Sequence, residues 1–321
     1  MGVPVTDVDI TPPTEERAGA SQPLLGLSAL TAIVVGSMIG SGIFALPSQM
    51  AGSAAPGPLL IGWAVTGVGM LTLAFVFQTL AERKPEIDGG VYGYAKEGFG
   101  NYIGFTSAFG YWASAWMGNV AYLVLLFATL DYFFPGTFTD GTTLPAIIGA
   151  SILLWIVHFL ILRGVQTAAF VNTIVTIAKV VPILTFIAIA VVGFKAGLFS
   201  AEFWGRHTEI DGAPLGDTLH QVRNMMLVTV WVFIGIEGAA VYSQRARSRK
   251  EVGKATVFGF LAVLALLLLV NFLSYGLMEQ SKLAGLADPS MAGLMKQQVG
   301  SWGAAFISIG LIISLLGALL A

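Results

Sequence analysis

The sequence has 321 residues, of which 56% are hydrophobic and 11% are charged, and its mean hydropathy is +0.81. A soluble domain of this length does not tolerate such an apolar composition, so the sequence predicts an all-α membrane protein with several spans. The absence of cysteine excludes disulfides and thiolate chemistry, and three scattered histidines argue against a metal site. The net charge of -2 gives no indication of nucleic-acid binding.

The first 23 residues differ from the rest of the chain. They contain Pro12-Pro13 and several acidic residues, and they lack the basic start and short apolar core of a signal peptide. We therefore expect residues 1–23 to form a disordered cytoplasmic tail and residues 24–321 to form a transmembrane domain.

Apolar runs of about 20 residues predict about eight membrane spans. A polar loop over residues 81–100 separates the second span from the third, and a longer polar stretch over residues 195–219 precedes the sixth. Because the eighth span reaches the final residue, we expect the chain to be incomplete at its C-terminal end. The predicted spans are Leu24–Met50, Pro58–Leu80, Tyr102–Leu130, Leu144–Leu162, Ala168–Phe194, Gln221–Tyr242, Val252–Met278 and Val299–Ala321.

The basic residues predict the orientation of these spans, because cytoplasmic loops are enriched in lysine and arginine. With the N-terminus inside, the inner segments carry ten basic residues and the outer segments carry five. The remaining basic residue, Lys179, is placed within the membrane. We therefore expect a cytoplasmic N-terminus.

The segment Gly36–Phe44 lies in the middle of the first span and contains three glycines in seven residues, at positions 36, 40 and 42. Each glycine costs about 1 kcal/mol relative to alanine inside a helix, so the helix is expected to unwind here. An unwound segment at membrane depth offers free N–H and carbonyl groups to a carboxylate and a cation. The alternative is that these glycines let two helices pack closely.

A second interrupted span favours the first interpretation. The segment Trp231–Gly238 combines two glycines with Glu237 inside an apolar run. Two broken spans in one chain are typical of a transporter whose substrate site lies between them.

Four side chains within the spans could act at such a site. Lys179 and Glu237 are ionisable groups, which are costly in a membrane; the alternatives are a lysine that reaches an interface and a glutamate hydrated at the inner rim. Trp231 could hold a cationic or aliphatic group on its indole face, or could anchor the helix at the interface. Asn119 could bind substrate or hydrogen-bond a neighbouring helix.

The segments Gly36–Phe44, Trp116–Ala121 and Trp231–Thr256 resemble the basic amino acid/polyamine antiporter family of the amino acid-polyamine-organocation superfamily, and within it the bacterial arginine/ornithine antiporters. The resemblance implies an inverted-repeat transporter fold of twelve helices, with discontinuous helices 1 and 6, of which this chain would carry helices 1–8. It also implies a multi-pass protein of the cell's inner membrane, in contact with the lipid bilayer, with a homodimer as one option.

The resemblance also implies roles for individual residues. The backbone of Ser41 and Gly42 would bind the substrate carboxylate, and carbonyls near Met38, Trp231 and Ile234 would accept from its amino group. Trp231 would be an aromatic lid, Glu237 a proton-sensing carboxylate of the inner gate, and Lys179 a lysine that stands where sodium-coupled relatives bind an ion. The remaining pocket residues implied are Ile39, Asn119 and Tyr122, and the remaining gate residues are Tyr92 and Tyr111.

Together these features predict a secondary transporter that exchanges a cationic, arginine-like amino acid for a related amine such as ornithine by alternating access. A proton-coupled symporter of amino acids or polyamines, and a sensor with the same fold but no flux, remain alternatives. No metal-ligand cluster and no nucleophile beside a base occurs within the spans, so we expect neither an enzyme nor a cofactor.

Overall fold

A computed structural model describes residues 24–87, 90–162, 168–238 and 246–320. The predicted disordered tail, residues 1–23, lies outside them. The protein is mainly helical, as expected. Its helices are α1 Leu27–Met38, the 3-10 helix Ser41–Phe44, α2 Leu46–Ser53, α3 Pro56–Arg83, α4 Gly90–Phe99, α5 Asn101–Leu130, the 3-10 turn Thr139–Gly141, α6 Leu144–Leu162, α7 Ala168–Gly193, α8 Ala196–Ala201, α9 Thr218–Val232, α10 Arg249–Tyr275, α11 Gln280–Ala284, α12 Ser290–Val299 and α13 Ser301–Leu320. A short antiparallel hairpin pairs β1 Glu209–Ile210 with β2 Ala213–Pro214.

Five of the described helices, α3, α5, α6, α10 and α13, are long and apolar enough to cross a membrane. Helix α1 and the stretch Ile177–Gly193 of α7 are shorter apolar helices. An all-α membrane protein is therefore confirmed, whereas the count of eight spans stays a prediction.

One local expectation was wrong. Residues 81–100 were expected to form a polar loop, but most of its second half is α4. This helix forms because Val91 and Tyr94, three residues apart, pack against the hydrophobic core, while Lys96 and Glu97 remain on its outer side. A loop was expected because the segment is rich in glycine and charged residues, and these residues obscure its narrow apolar face.

The first interruption lies where the glycines predict it. Helix α1 ends at Met38, Gly40 has an extended backbone with φ -83° and ψ -171°, and the 3-10 helix begins at Ser41. Helix α2 then continues the chain from Leu46, with Pro47 in its first turn. The span is therefore two half-helices joined by a short 3-10 segment.

The second interruption begins after α9 ends at Val232. Residues 233–237 form turns, and Gly235 has a left-handed backbone with φ +103°. A Cβ atom on Gly235 would lie 2.7 Å from the carbonyl carbon of Ser37, so only glycine permits this approach. The two interruptions therefore touch each other through their backbones.

The aromatic side chain at the start of the second interruption is held in the core. Phe233 is fully buried and lies between Trp63 of α3 and Phe260 of α10, with ring centroids 6.0 Å and 5.3 Å away. Such aromatic contacts add about 0.5–1.5 kcal/mol each beyond the area they bury. They fix which side of the interruption faces the core.

Side chains from distant helices hold the end of α2. The Tyr275 hydroxyl donates to the Ala54 carbonyl at 2.6 Å, and the Gln280 amide donates to the carbonyls of Ala51 and Ala54 at 2.9 and 3.0 Å. The buried Gln221 side chain accepts from the Ala55 N–H at 2.9 Å. These bonds satisfy the polar groups that the end of a helix leaves without partners.

A hydrogen bond between α3 and α9 offers a test of this packing. The hydroxyls of Thr66 and Thr229 lie 2.9 Å apart and are buried. We expect a double-mutant cycle with Thr66→Val and Thr229→Val to give a coupling energy of about 0.6 kcal/mol, and at most about 1.7 kcal/mol, because such bonds inside membrane proteins are modest. Equilibrium unfolding in mixed detergent micelles measures it.

The control cycle pairs Thr229→Val with Thr72→Val, since the Thr72 hydroxyl bonds only the Gly69 carbonyl of its own helix at 2.6 Å. These two substitutions should be additive. A coupling as large for the control pair as for Thr66 and Thr229 would contradict the direct bond.

Candidate functional site

A cavity of about 1070 Å³ lies between the two interruptions, with α5 and α10 completing its walls. Both interruptions contribute lining residues, which is the juxtaposition expected for a substrate site between broken helices. Ten of the twelve predicted site residues line it: Met38, Ile39, Ser41, Gly42, Tyr111, Asn119, Tyr122, Trp231, Ile234 and Glu237.

The first interruption presents backbone N–H groups to this cavity. Within the described part of the chain, neither the Ser41 nor the Gly42 N–H has a backbone or side-chain acceptor. They stand at the N-terminal end of the 3-10 helix, where the peptide dipoles leave partial positive charge. The geometry therefore suits an anionic group such as a carboxylate.

Trp231 covers the same backbone. Its six-membered ring lies so close to Gly42 that a Cβ atom at this position would overlap it. The side chain is still 40% exposed, so one part of the indole contacts the interruption and another part faces the cavity. Trp231 therefore contacts the backbone of the first interruption and also lines the cavity, and its role as a lid stays a prediction.

Glu237 is held at the second interruption by the backbone beside it. Its carboxylate accepts from the Gly235 N–H at 3.1 Å. The Tyr111 side chain of α5 lies near this carboxylate and interacts with it electrostatically. The two predicted gate residues are therefore neighbours in the cavity lining.

The structure places the other two predicted residues away from the cavity lining. Lys179 of α7 is 9% exposed, and its Nζ donates to the Gly36 carbonyl at 3.2 Å, two residues before α1 ends. Tyr92 lies on α4, with the Lys96 Nζ 5.9 Å from the centre of its ring. Lys179 thus binds α1 just before the first interruption without lining the cavity. Tyr92 does not reach the site in this conformation.

Sequence reasoning missed two acidic residues in the lining, Asp140 and Asp288. Both lie in polar connections, where aspartate is common, so no local signal distinguished them. With Glu237 they make three carboxyl groups, and the lining residues include no lysine, arginine or histidine within the described ranges. The cavity therefore favours a ligand with positive charge.

A family model described as amino acid permease matches residues 25–321. The chain belongs to this family. The match covers both interruptions and every helix that contributes to the cavity.

Individual relatives carry more specific names. An arginine/ornithine antiporter of Pseudomonas aeruginosa is 64% identical over 296 residues, covering 92% of this chain and 60% of the relative. An arginine/agmatine antiporter of Chlamydia caviae is 45% identical over 298 residues, covering 93% and 61%. An L-lysine transport protein of Corynebacterium glutamicum is 46% identical over 304 residues, covering 94% and 60%. The chain thus spans about three fifths of the length of the relatives it matches.

Proposed function

We propose that this protein is a secondary transporter that exchanges an arginine-like amino acid for an ornithine-like amine by alternating access. The observation that carries the proposal is the cavity between the two interruptions. Three carboxyl groups line it, and the described lining residues include no basic side chain. The names of the relatives from Pseudomonas aeruginosa and Chlamydia caviae agree with such a substrate.

In the proposed complex, the free N–H groups of Ser41 and Gly42 bind the substrate carboxylate. Carbonyls near Met38, Trp231 and Ile234 accept from the α-amino group, because carbonyl oxygens keep a second lone pair after one backbone bond. Asn119 and Tyr122 of α5 line the wall beside the substrate. A zwitterion is thus bound at both ends without covalent chemistry, so no cofactor and no catalytic residue is needed.

The proposed gates use the contacts around this site. Trp231 closes over Gly42, and Tyr111 with Glu237 forms the second gate. The Lys179 side chain donates to the α1 carbonyl of Gly36, so we propose that it occupies the position of a coupling ion and that exchange proceeds without sodium. Tyr92 would reach the gate only in another conformation of the protein.

The finer architecture is also part of the proposal. We infer an inverted-repeat fold in which the interruptions of spans one and six are equivalent, with eight spans in this chain. We further infer a cytoplasmic N-terminus, insertion in the cell's inner membrane and a homodimer as one option. The side of the cavity that α2, α11 and α12 cover is then extracellular.

Counterflow in liposomes tests the exchange activity. In sodium-free buffer, the reconstituted protein is expected to accumulate external labelled arginine when ornithine is inside, and to accumulate at least about tenfold less when the liposomes are empty. The reason is that exchange returns the emptied site only with a second substrate bound. Liposomes without protein provide the background, and no arginine uptake with ornithine inside would refute the proposal.

Proton-coupled symport is the second candidate, favoured by Glu237 at the interruption and by the relative named as an L-lysine transport protein. A carboxyl group at such a position can exchange a proton as its surroundings change. In the same liposomes, symport predicts uptake into empty vesicles driven by an inward proton gradient. Exchange predicts no such uptake.

A further inference from the structure

Asp288 lies in the connection between α11 and α12, at the surface of the cavity. The residue is exposed. It follows the last residue of α11 by four positions and precedes the buried Ser290, with which α12 begins. The carboxyl group is therefore presented to the cavity by a segment outside the membrane-spanning helices.

The groups nearest this carboxyl are neutral. The Ser48 hydroxyl donates to its Oδ1 at 3.4 Å, and the Gln49 side chain and the Ser290 N–H also interact with it electrostatically. Neutral donors orient a carboxylate without cancelling its charge. The orientation of Asp288 is thus fixed while its charge remains available.

The carboxyl group also lacks a counter-ion within the described ranges, where no lysine, arginine or histidine nitrogen forms an ion pair with it. Surrounding protein raises the pKa of Asp288 by desolvation, which the bonds from Ser48, Gln49 and Ser290 partly oppose. A cation that approached from the cavity would favour the ionised form and supply the missing charge.

Asp288 is also linked to the first interruption. The Ser290 hydroxyl bonds the carbonyls of Phe44 and Ala45 at 3.4 and 3.2 Å, directly at the end of the 3-10 helix. The free N–H groups of Ser41 and Gly42 and the carboxyl group of Asp288 line the same cavity, so a molecule with an anionic end and a cationic end can meet both.

We propose that Asp288 forms an outer subsite that recognises the guanidinium or ammonium group of the substrate. This inference rests on the proposed transport function and adds the residue that selects a cationic side chain over a neutral one. A hydrogen bond to a charged group is worth more than one between neutral groups, so the subsite discriminates by charge.

The experiment compares arginine with citrulline, in which a neutral ureido group replaces the guanidinium. Both are measured as competitors of labelled arginine binding to the purified protein. In Asp288→Asn we expect the preference for arginine over citrulline to fall about tenfold, with citrulline binding nearly unchanged. Asp288→Glu keeps the charge and should retain most of the preference.

Glu279→Gln is the matched control, because Glu279 is a nearby exposed carboxylate that pairs with Lys282 at 3.0 Å and does not line the cavity. The preference of Glu279→Gln for arginine over citrulline should equal that of the parent protein. An unchanged preference in Asp288→Asn, or equal weakening of both ligands, would overturn the subsite. If Asp288→Asn does not fold, Asp288→Ser replaces it and the same outcomes decide.

The two proposals fail separately. A parent protein that neither binds nor exchanges arginine refutes the proposed function. A parent that exchanges arginine, combined with an unchanged preference in Asp288→Asn, refutes only the outer subsite.

Discussion

Replacing Gly42 with alanine is expected to lower arginine exchange by about 10- to 100-fold. The added methyl group would overlap the ring of Trp231, and overpacking of this kind costs about 1–3 kcal/mol. The overlap can be removed only by moving the indole of Trp231 or by moving the backbone whose N–H groups are proposed to bind the carboxylate. Initial rates of counterflow, normalised to the amount of folded protein in the liposomes, measure the effect.

Gly40 provides the matched control two residues earlier. Its φ of -83° suits any residue, and the nearest atom to an added Cβ would be the Gly42 nitrogen at 4.0 Å. Gly40→Ala should therefore retain exchange within about twofold. Equal losses in both variants would mean that the glycines serve the helix break in general and that the contact with Trp231 is unimportant.

Replacing Gly235 with alanine is expected to destabilise the folded protein by at least about 2 kcal/mol. A residue with a Cβ is strained at φ +103°, which costs about 1–3 kcal/mol, and the new atom would lie 2.7 Å from the Ser37 carbonyl carbon and oxygen. Backbone atoms cannot rotate away as a side chain can. The loss should appear as a lower unfolding midpoint of the purified protein in detergent.

Gly69 of α3 is the corresponding control, because a Cβ atom there would have no neighbour within 4 Å. Gly69→Ala should leave the midpoint unchanged or raise it slightly, since alanine favours the helix by about 1 kcal/mol or less. A midpoint for Gly235→Ala equal to that of the parent would show that the interruptions can separate without cost.

Local sequence chemistry was sufficient to predict both interruptions. The glycines at 36, 40 and 42 make a continuous helix costly, and Glu237 beside Gly235 marks the second span in the same way. These signals lie within a few residues of the feature they predict. The resemblance then supplied Tyr111 and Tyr122, both of which line the cavity.

The contacts that complete the site could not be predicted in this way. Asp288 meets Ser48 across 240 positions of sequence, and Lys179 meets Gly36 across 143. Such pairings depend on how the helices pack, and neither residue carries a local pattern that names its partner. Tyr92 is the opposite case. The resemblance implied a gate role for it, but α4 holds it away from the cavity in this conformation.

The hydrogen bonds that hold α2 limit how the protein can move. Tyr275 and Gln280 bind one end of this half-helix, and Ser290 binds the backbone just before the other. Any displacement that keeps these bonds must carry the end of α10, α11 and the start of α12 along as a single rigid body. Within the described ranges, the opposite half, α1, receives one side-chain hydrogen bond from another helix, that of Lys179 to Gly36, which leaves that half the cheaper one to tilt during a transport cycle.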